Sequence, residues 1–493
     1  MTTLSNATFA SHYPVTGEVI ADYPIFDREQ VHASVARARA ASRAWQELGF
    51  KGRRKVLLQW SNLLITKLDE ITAIVSRETG KPISDAKLEA ALAVGHLGWA
   101  ARNAEGVMRT SHRSPGALMA NMSATVERSP VGVVGVIGPW NYPIFTPMGS
   151  ISYALAAGNT VVFKPSEYTP GVGTVLAKTF SEVAPFADIF TCITGLGATG
   201  KDLCESGVDK LAFTGSTRTA KLVAATCAAN MTPVVLECGG KDPVIVAADA
   251  DIKRAADATI WSAMSNAGQT CIGAERVYVH ESVADKFIEE ALKVARKIHP
   301  GAPGVGNYGP ATMPSQINVI QGHIDDAIAK GAKTALGSSD SVKAPFVEPV
   351  ILLDVPENST AMTEETFGPT IAINRVKSMA EAIELSNASR YGLGSSIWSK
   401  RQGKKIARQL HCGMVAINST ISFAAIASVP FGGVKDSGYG RIHGPEGILE
   451  FTYPRTVIRA RFQLPISFTS FKRTKGNDKL IVTLTRLLNG RLG

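Results

Sequence analysis

The sequence predicts an α/β protein with two Rossmann-like parallel-sheet domains. Three observations carry that expectation. Short β-branched runs alternate with helical periodicities between residues 131 and 237, the pattern of parallel βαβ units. A second alternation of the same kind begins near residue 243. The chain also has 493 residues, 45% hydrophobic and 19% charged, which is ample material for more than one buried core.

The elements follow in order. Residues 28–49 have a helical apolar period and end at Gly49. Residues 51–79 continue as helix and stop at Gly80-Lys81-Pro82, a glycine and proline pair that cannot extend it. A third helix covers 83–107. Short strands are expected at 123–127 and 131–137, then helix 150–157 and strand 159–163. Helix 171–184 precedes strand 189–193, helix 199–205 precedes strand 210–213, and helix 216–229 precedes strand 232–237. The second alternation runs through strand 243–247, helix 251–266, strand 276–280 and helices 282–297 and 315–331. It ends with strand 370–376, helix 379–388, strand 393–397, helix 400–410 and strand 413–417. The domain boundary falls near 240. Parallel sheets of this kind bind ligands at the carboxyl ends of their strands.

Composition narrows the function classes. The hydrophobic share excludes a disordered or collagen-like chain. Six cysteines, at 192, 204, 227, 238, 271 and 412, form no CxxC pair and have no histidine nearby at zinc spacing. A reducing compartment and no metal are expected, with any special cysteine a nucleophile. The first twenty residues lack a basic segment followed by an apolar core, so no signal peptide is expected. No apolar run reaches ~18 residues, so no membrane span is expected, and a cytoplasmic location follows.

The net charge of +10 is unevenly placed. Residues 459–493 hold eight basic residues against Asp478 alone, which leaves the body nearly neutral and argues against a nucleic-acid-binding core. Within this tail Leu480, Ile481, Leu484, Leu487 and Leu488 share one helical face, with Lys479, Thr483, Arg486 and Asn489 largely elsewhere. Two readings stay open: a helix packed on the body or on a neighbouring subunit, and a basic amphipathic helix in peripheral contact with an anionic membrane.

Five local motifs carry chemistry. In Gly268-Gln269-Thr270-Cys271, with Gly273 following, glycines on both sides suit a backbone that something approaches closely. Cys271 then reads as a thiolate nucleophile or, equally simply, as a small buried hydrophobe. Pro139-Trp140-Asn141-Tyr142-Pro143 is a proline-bracketed loop after a strand, and the Asn141 amide can donate to an oxyanion or serve a turn. Glu237-Cys238-Gly239-Gly240-Lys241 closes the first domain with a carboxylate suited to general base work, or with a surface glutamate before a turn. Lys164-Pro165-Ser166-Glu167 places a cation and a carboxylate where ribose hydroxyls can be gripped. The acidic Glu167 favours NAD over NADP, although no GxGxxG is present. Its companion, Phe213-Thr214-Gly215-Ser216, leads a strand into a helix whose N-terminus can face a pyrophosphate, and either motif can equally be an ordinary βα turn. Glu365-Thr366-Phe367-Gly368-Pro369 can hold a nicotinamide riboside, or be a plain turn.

Together with Pro-Phe-Gly-Gly-Val-Lys-Asp-Ser-Gly-Tyr-Gly-Arg at 430–441, these motifs, in their order along the chain, resemble the aldehyde dehydrogenase superfamily over roughly residues 10–458. Two departures are Cys238, where the family usually has leucine, and Ala220, where it usually has glycine. The resemblance implies that Cys271 attacks an aldehyde while the Asn141 side chain and the Cys271 N–H hold the oxyanion. The thiohemiacetal loses hydride to the nicotinamide, and Glu237 activates water to hydrolyse the resulting thioester. It implies NAD as cofactor, with Lys164 and Glu167 at the adenosine ribose, Gly215, Ser216 and Trp140 along the cofactor, and Glu365 and Phe367 at the nicotinamide riboside. Tyr142, Phe145, Thr146, Ser265, Thr270, Ile272 and Phe423 are expected to line the aldehyde tunnel. Their mix of aromatic, aliphatic and hydroxyl groups favours an apolar or aromatic aldehyde and leaves small polar ones open, and none is the cation a carboxylate substrate would want. The stretch 440–447 nevertheless resembles a branch with some succinate-semialdehyde dehydrogenases. A CoA-acylating enzyme and a non-catalytic structural role are the other readings, and Glu237 speaks for hydrolysis.

The expected division follows the family. Residues 1–112 and 130–240 form the cofactor-binding domain and 241–435 the catalytic domain. Residues 113–129 supply oligomerisation strands, 436–460 return to the cofactor domain with a further such strand, and 461–493 are the basic tail. A homodimer or homotetramer is expected.

Overall fold

The computed structural model describes residues 7–463 and 470–490. Two sheets set the architecture. The first has six strands in the order Gly438–Tyr439, Val234–Glu237, Lys210–Thr214, Val133–Ile137, Thr160–Lys164 and Phe190–Cys192. Its neighbours are parallel except at Gly438–Tyr439, which returns from far along the chain and runs antiparallel to Val234–Glu237. The second has seven strands in the order Lys333–Leu336, Val350–Leu353, Thr370–Val376, Ala274–His280, Asp242–Val246, Gly394–Trp398 and Met414–Ile417, antiparallel only at the Lys333–Leu336 edge. Helices cover both faces, so central strands such as Thr160–Lys164 are buried at every position and read as unbroken apolar runs.

The fold is therefore the predicted α/β class with Rossmann-like, mostly parallel sheets. A three-stranded antiparallel sheet, Thr452–Ala460, Met122–Pro130 and Ser111–Arg113, stands apart, and eight of the nine residues of Thr452–Ala460 are exposed.

Several elements differ from the sequence expectation, each for a local reason. The helix expected over 51–79 is two helices, Gly49–Thr66 and Leu68–Thr79. Lys67 leaves helical geometry between them, and its Nζ reaches Glu182 at 2.6 Å. The helix expected over 150–157 begins five residues earlier, as Phe145–Ala157. Its first N–H groups are satisfied by Glu89 from a distant helix rather than by a local cap, so the sequence carries no start signal. The helix expected over 251–266 ends at Met264, because Ser265 is extended and the backbone turns left-handed at Asn266. The helix expected over 400–410 is only Gly403–Ala407. The strands Lys333–Leu336 and Val350–Leu353 and an N-terminal hairpin, Thr8–His12 with Val19–Pro24, lie outside the sequence expectation.

Candidate active site

Register brings the motifs of the first sheet to one edge. Ile137 pairs with Lys164 and with Phe213, Phe213 with Leu236, and Thr214 with Glu237. The loops carrying Asn141, Glu167, Ser216 and Glu237 all leave from these carboxyl ends. The strand Val234–Glu237 passes through 238–241 into Asp242–Val246 of the second sheet, whose neighbour Ala274–His280 begins just after Cys271. Cys271 is thus carried to the first sheet's edge from the other domain.

The loop holding Cys271 is strained and locked. Asn266, Ala267 and Gly268 follow one another with φ of 53°, 57° and 71°. Left-handed non-glycine residues cost roughly 1–3 kcal/mol each, so surrounding bonds must hold them. Asn266 Nδ2 donates to the carbonyls of Asn141 at 3.1 Å and Gln269 at 3.2 Å. The Gln269 amide donates to Asn266 and Pro310 and accepts from the Thr312 N–H at 2.8 Å. Gly268 has to be glycine because a Cβ would strike the Gly368 carbonyl.

Two buried ion pairs fix the facing loops. Lys81 and Glu89 are 1% and 0% exposed. Lys81 Nζ donates to Glu89 at 2.8 Å and to the Asn141 carbonyl at 2.7 Å, and it lies 4.3 Å from the Tyr142 ring centre. Glu89 in turn accepts from the N–H groups of Ile144 and Phe145. Lys241 pairs with Glu275, and Glu275 accepts from the N–H groups of Thr366 and Phe367. The sequence reading assigned no role to Lys81, Glu89, Asn266, Gln269 or Glu275, because their partners lie far along the chain.

The reacting groups meet in a cavity of about 110 Å³. Cys271, half-buried, and Glu237, 4% exposed, both face it. Neither Glu237 carboxylate oxygen has a hydrogen-bond partner. Burial pushes this carboxyl well above its usual range; the Arg441 charge opposes the shift and Glu450 adds to it. Burial also raises the Cys271 thiol, with help from Glu365, Asp242 and Glu237. Asn141 is buried, and its Nδ2 donates one hydrogen to the Gln269 carbonyl at 2.9 Å, leaving the second N–H for another acceptor.

Of the expected tunnel residues, Tyr142, Phe145, Thr146, Ser265, Thr270 and Ile272 line the cavity, and the Tyr142 hydroxyl bonds Thr270 Oγ1 at 2.9 Å. Phe423 does not. In the short helix Ser422–Ala425, entered through left-handed Ile421, it is Ile421 and Ala424 that face the cavity, while Phe423 packs beside Gly394 and Phe431. The wall also holds His443, which the sequence reading gave no role. It is buried at φ 61°, 4.1 Å from the His96 ring, with neither nitrogen partnered, and burial holds it neutral, far below its usual pKa.

The cofactor candidates lie along the same edge. Lys164 ends its strand buried, with Nζ on the Pro165 carbonyl at 3.0 Å and 3.9 Å from Glu167; burial lowers its pKa and Glu167 opposes the shift. Gly215 leads to Ser216, which caps the helix Thr217–Ala228 by accepting from the Thr219 N–H. Trp140 and Phe367 meet edge to face at 5.5 Å. Glu365 accepts from the Gly240 N–H at 3.0 Å, and burial raises it to about 8. A cation, an exposed carboxylate and a helix N-terminus in a row make a donor set that fits an adenine dinucleotide.

Comparison with known proteins decides the family. The aldehyde dehydrogenase family profile matches residues 2–457. The chain belongs to the aldehyde dehydrogenase family. This aldehyde dehydrogenase is 37% identical over 465 residues to the 4,4'-diapolycopene aldehyde oxidase of a Methylomonas species, covering 93% of this chain and 87% of that one. It is 34% identical over 451 residues to the NADP-linked succinate-semialdehyde dehydrogenase of Escherichia coli, covering 89% and 92%. Among solved structures, an NAD-dependent aldehyde dehydrogenase from Sinorhizobium meliloti superimposes with a TM-score of 0.89 at 31% identity, covering 94% of each chain. An NADP-dependent glyceraldehyde-3-phosphate dehydrogenase from Bacillus halodurans gives 0.88 at 31%, covering 93% and 97%. Cofactor choice thus varies among proteins this similar.

Proposed function

We propose that the chain oxidises an apolar or aromatic aldehyde to its carboxylic acid through a Cys271 thiohemiacetal and thioester, with NAD as acceptor. The observation that carries this reading is the Glu237 carboxylate, buried with both oxygens unpartnered, in the same cavity as the Cys271 thiol. Cys271, as thiolate after its proton is released to solvent, forms the bond to the aldehyde carbon. The free Asn141 N–H and the Cys271 backbone N–H stabilise the oxyanion in a site that needs no reorganisation. When bound, the nicotinamide cofactor supplies the hydride acceptor. Glu237 then takes a proton from water, which attacks the thioester and releases the acid. A carboxylate in that position favours hydrolysis over acyl transfer to a thiol such as CoA.

Lys164, Glu167, Gly215, Ser216, Trp140, Glu365 and Phe367 are the residues assigned to hold the cofactor. Glu167 is 41% exposed, and its charge would oppose a 2′-phosphate, which supports NAD over NADP. The substrate class rests on the cavity wall. Its acidic residues are Asp85, Glu89 and Glu237, and its one cation among the described residues, Lys81, is already paired. A semialdehyde with a second carboxylate would meet no unpaired cation there. The Methylomonas relative, named for 4,4'-diapolycopene aldehyde, accords with this. The Escherichia coli relative and the stretch 440–447 favour succinate semialdehyde as the second reading. A homodimer or homotetramer joined through the exposed strand Thr452–Ala460 is part of the same proposal.

The test is reduced-cofactor formation with short aliphatic, long aliphatic and aromatic aldehydes and succinate semialdehyde, with NAD and NADP side by side. Activity on long or aromatic aldehydes, stronger with NAD and absent in Cys271→Ala, is the expected result. Preference for succinate semialdehyde would overturn the substrate assignment. Thiol-dependent release would overturn hydrolysis.

A further inference from the structure

Beyond the three-stranded sheet, the described residues 470–490 hold one helix, Lys475–Asn489, capped by Thr474, whose Oγ1 accepts from the Asn477 N–H at 3.3 Å. No residue of this helix is buried, so it is not packed into the body of its own subunit. At 3.6 residues per turn, Leu480, Ile481, Leu484, Leu487 and Leu488 fall within an arc of about 120°. Lys475, Lys479 and Arg486 fall within about 40° on the opposite side. Leu480, Leu487 and Leu488 are 37%, 69% and 51% exposed, and Phe471, just ahead of the helix, is fully exposed. The one acidic residue, Asp478, is held by Arg473 at 2.6 Å, so it does little to offset the basic face.

We propose that this helix lies on the surface of an anionic lipid bilayer and makes the enzyme a peripheral membrane protein. A nucleic acid or an acidic protein surface would use the basic side chains and leave the leucine stripe in water. An anionic bilayer takes both faces at once. The apolar arc enters the boundary between headgroups and acyl chains, while the lysine and arginine stems extend toward the phosphates. The helix lies on the bilayer and does not span it. Fifteen residues give roughly 22 Å, against about 30 Å of hydrocarbon. No helix among the described residues is long and apolar enough to cross a membrane. Attachment through one short helix is weak and reversible. It requires nothing of the catalytic cavity and stands whichever aldehyde the enzyme takes.

The test is co-sedimentation of the full chain with vesicles of equimolar phosphatidylglycerol and phosphatidylcholine, against phosphatidylcholine alone. The expected result is binding to the anionic vesicles only, released in about 1 M salt, where the screening length falls to roughly 3 Å. Lys479→Gln with Arg486→Gln lowers the partition roughly thirtyfold, at about 1 kcal/mol per lost charge. Leu484→Asp with Leu488→Asp abolishes it. Both pairs leave turnover of a water-soluble aldehyde unchanged, since neither touches the body. The proposal fails if the full chain ignores anionic vesicles, or if the aspartate variant binds them equally. It also fails if duplex DNA captures the chain and vesicles do not. A changed mass for the aspartate variant in sedimentation velocity, without vesicle binding by the parent, would make the helix a subunit contact instead.

Discussion

Lys81→Met isolates the clamp behind Asn141. Because Lys81 and Glu89 are both sealed from solvent, losing the ammonium strands a carboxylate in the interior. Breaking a buried pair from one side costs about 3–5 kcal/mol. The substitution also removes the 2.7 Å bond to the Asn141 carbonyl, leaving Asn266 Nδ2 as its donor at 3.1 Å. Adding Glu89→Gln discharges the stranded group yet keeps an oxygen for the Ile144 and Phe145 N–H groups. The double variant should therefore recover more than half of the lost stability. The assay is the unfolding midpoint in heat and in urea, with kcat measured in parallel. Release of the loop lowers kcat by up to the factor of about 10²–10³ expected for one oxyanion donor. Two results would refute the reasoning. One is Lys81→Met within about 1 kcal/mol of the parent. The other is a double variant no more stable than the single one.

The other predictions concern the chemistry directly. Cys271→Ser should form no reduced cofactor, while Glu237→Gln should give a burst of about one equivalent and then stall; normal steady turnover would remove Glu237 from the base role. With its carboxyl held well above the usual range, steady-state kcat should climb with pH beyond ordinary carboxylate titration, and a profile flat from about pH 5 upward would contradict this. For stability the sign is the reverse. The raised Glu237 value contributes fully below the unfolded carboxyl pKa of about 4.3, and the contribution is lost as pH rises through the folded value. A Cys271 thiol raised by burial predicts that iodoacetamide labelling of cofactor-free enzyme still accelerates above about pH 9. Glu167→Gln should narrow the preference for NAD over NADP about fivefold, the worth of roughly 1 kcal/mol of like-charge repulsion near the surface, read from the ratio of kcat/KM values.

The parts of this molecule legible in the sequence are those whose cause is local. Parallel strands announce themselves because both faces are buried, and Cys271, Glu237 and Asn141 stand in motifs whose order is distinctive. What stayed hidden depends on partners far along the chain. Gly80-Lys81-Pro82 reads as a helix stop, and nothing near it says that Lys81 will bond a carbonyl sixty residues later. The start of Phe145–Ala157 has no local signal for the same reason, since the Ile144 and Phe145 N–H groups donate to distant Glu89. The left-handed run at Asn266 and Ala267 defies local preference and is held by tertiary bonds, so the apolar period ran through it on paper. Position along the chain places Phe423 in the wall, whereas it is left-handed Ile421 and Ala424 that face the cavity, a register no local signal sets.

The antiparallel strand Gly438–Tyr439 has a consequence for how the molecule is made. Gly438 pairs with Glu237, and Tyr439 with Leu236. Glu237 therefore sits on a ragged rim until residues two hundred positions later arrive. At synthesis rates of 5–20 residues per second that interval is roughly 10–40 s. During it the ribosome-bound chain carries an acidic side chain on an open strand beside a cysteine that has, or soon will have, emerged. The thiol and the carboxylate are enclosed together only once residues 438–443 have been made, so a chain terminated before them carries both groups without the chamber that joins them.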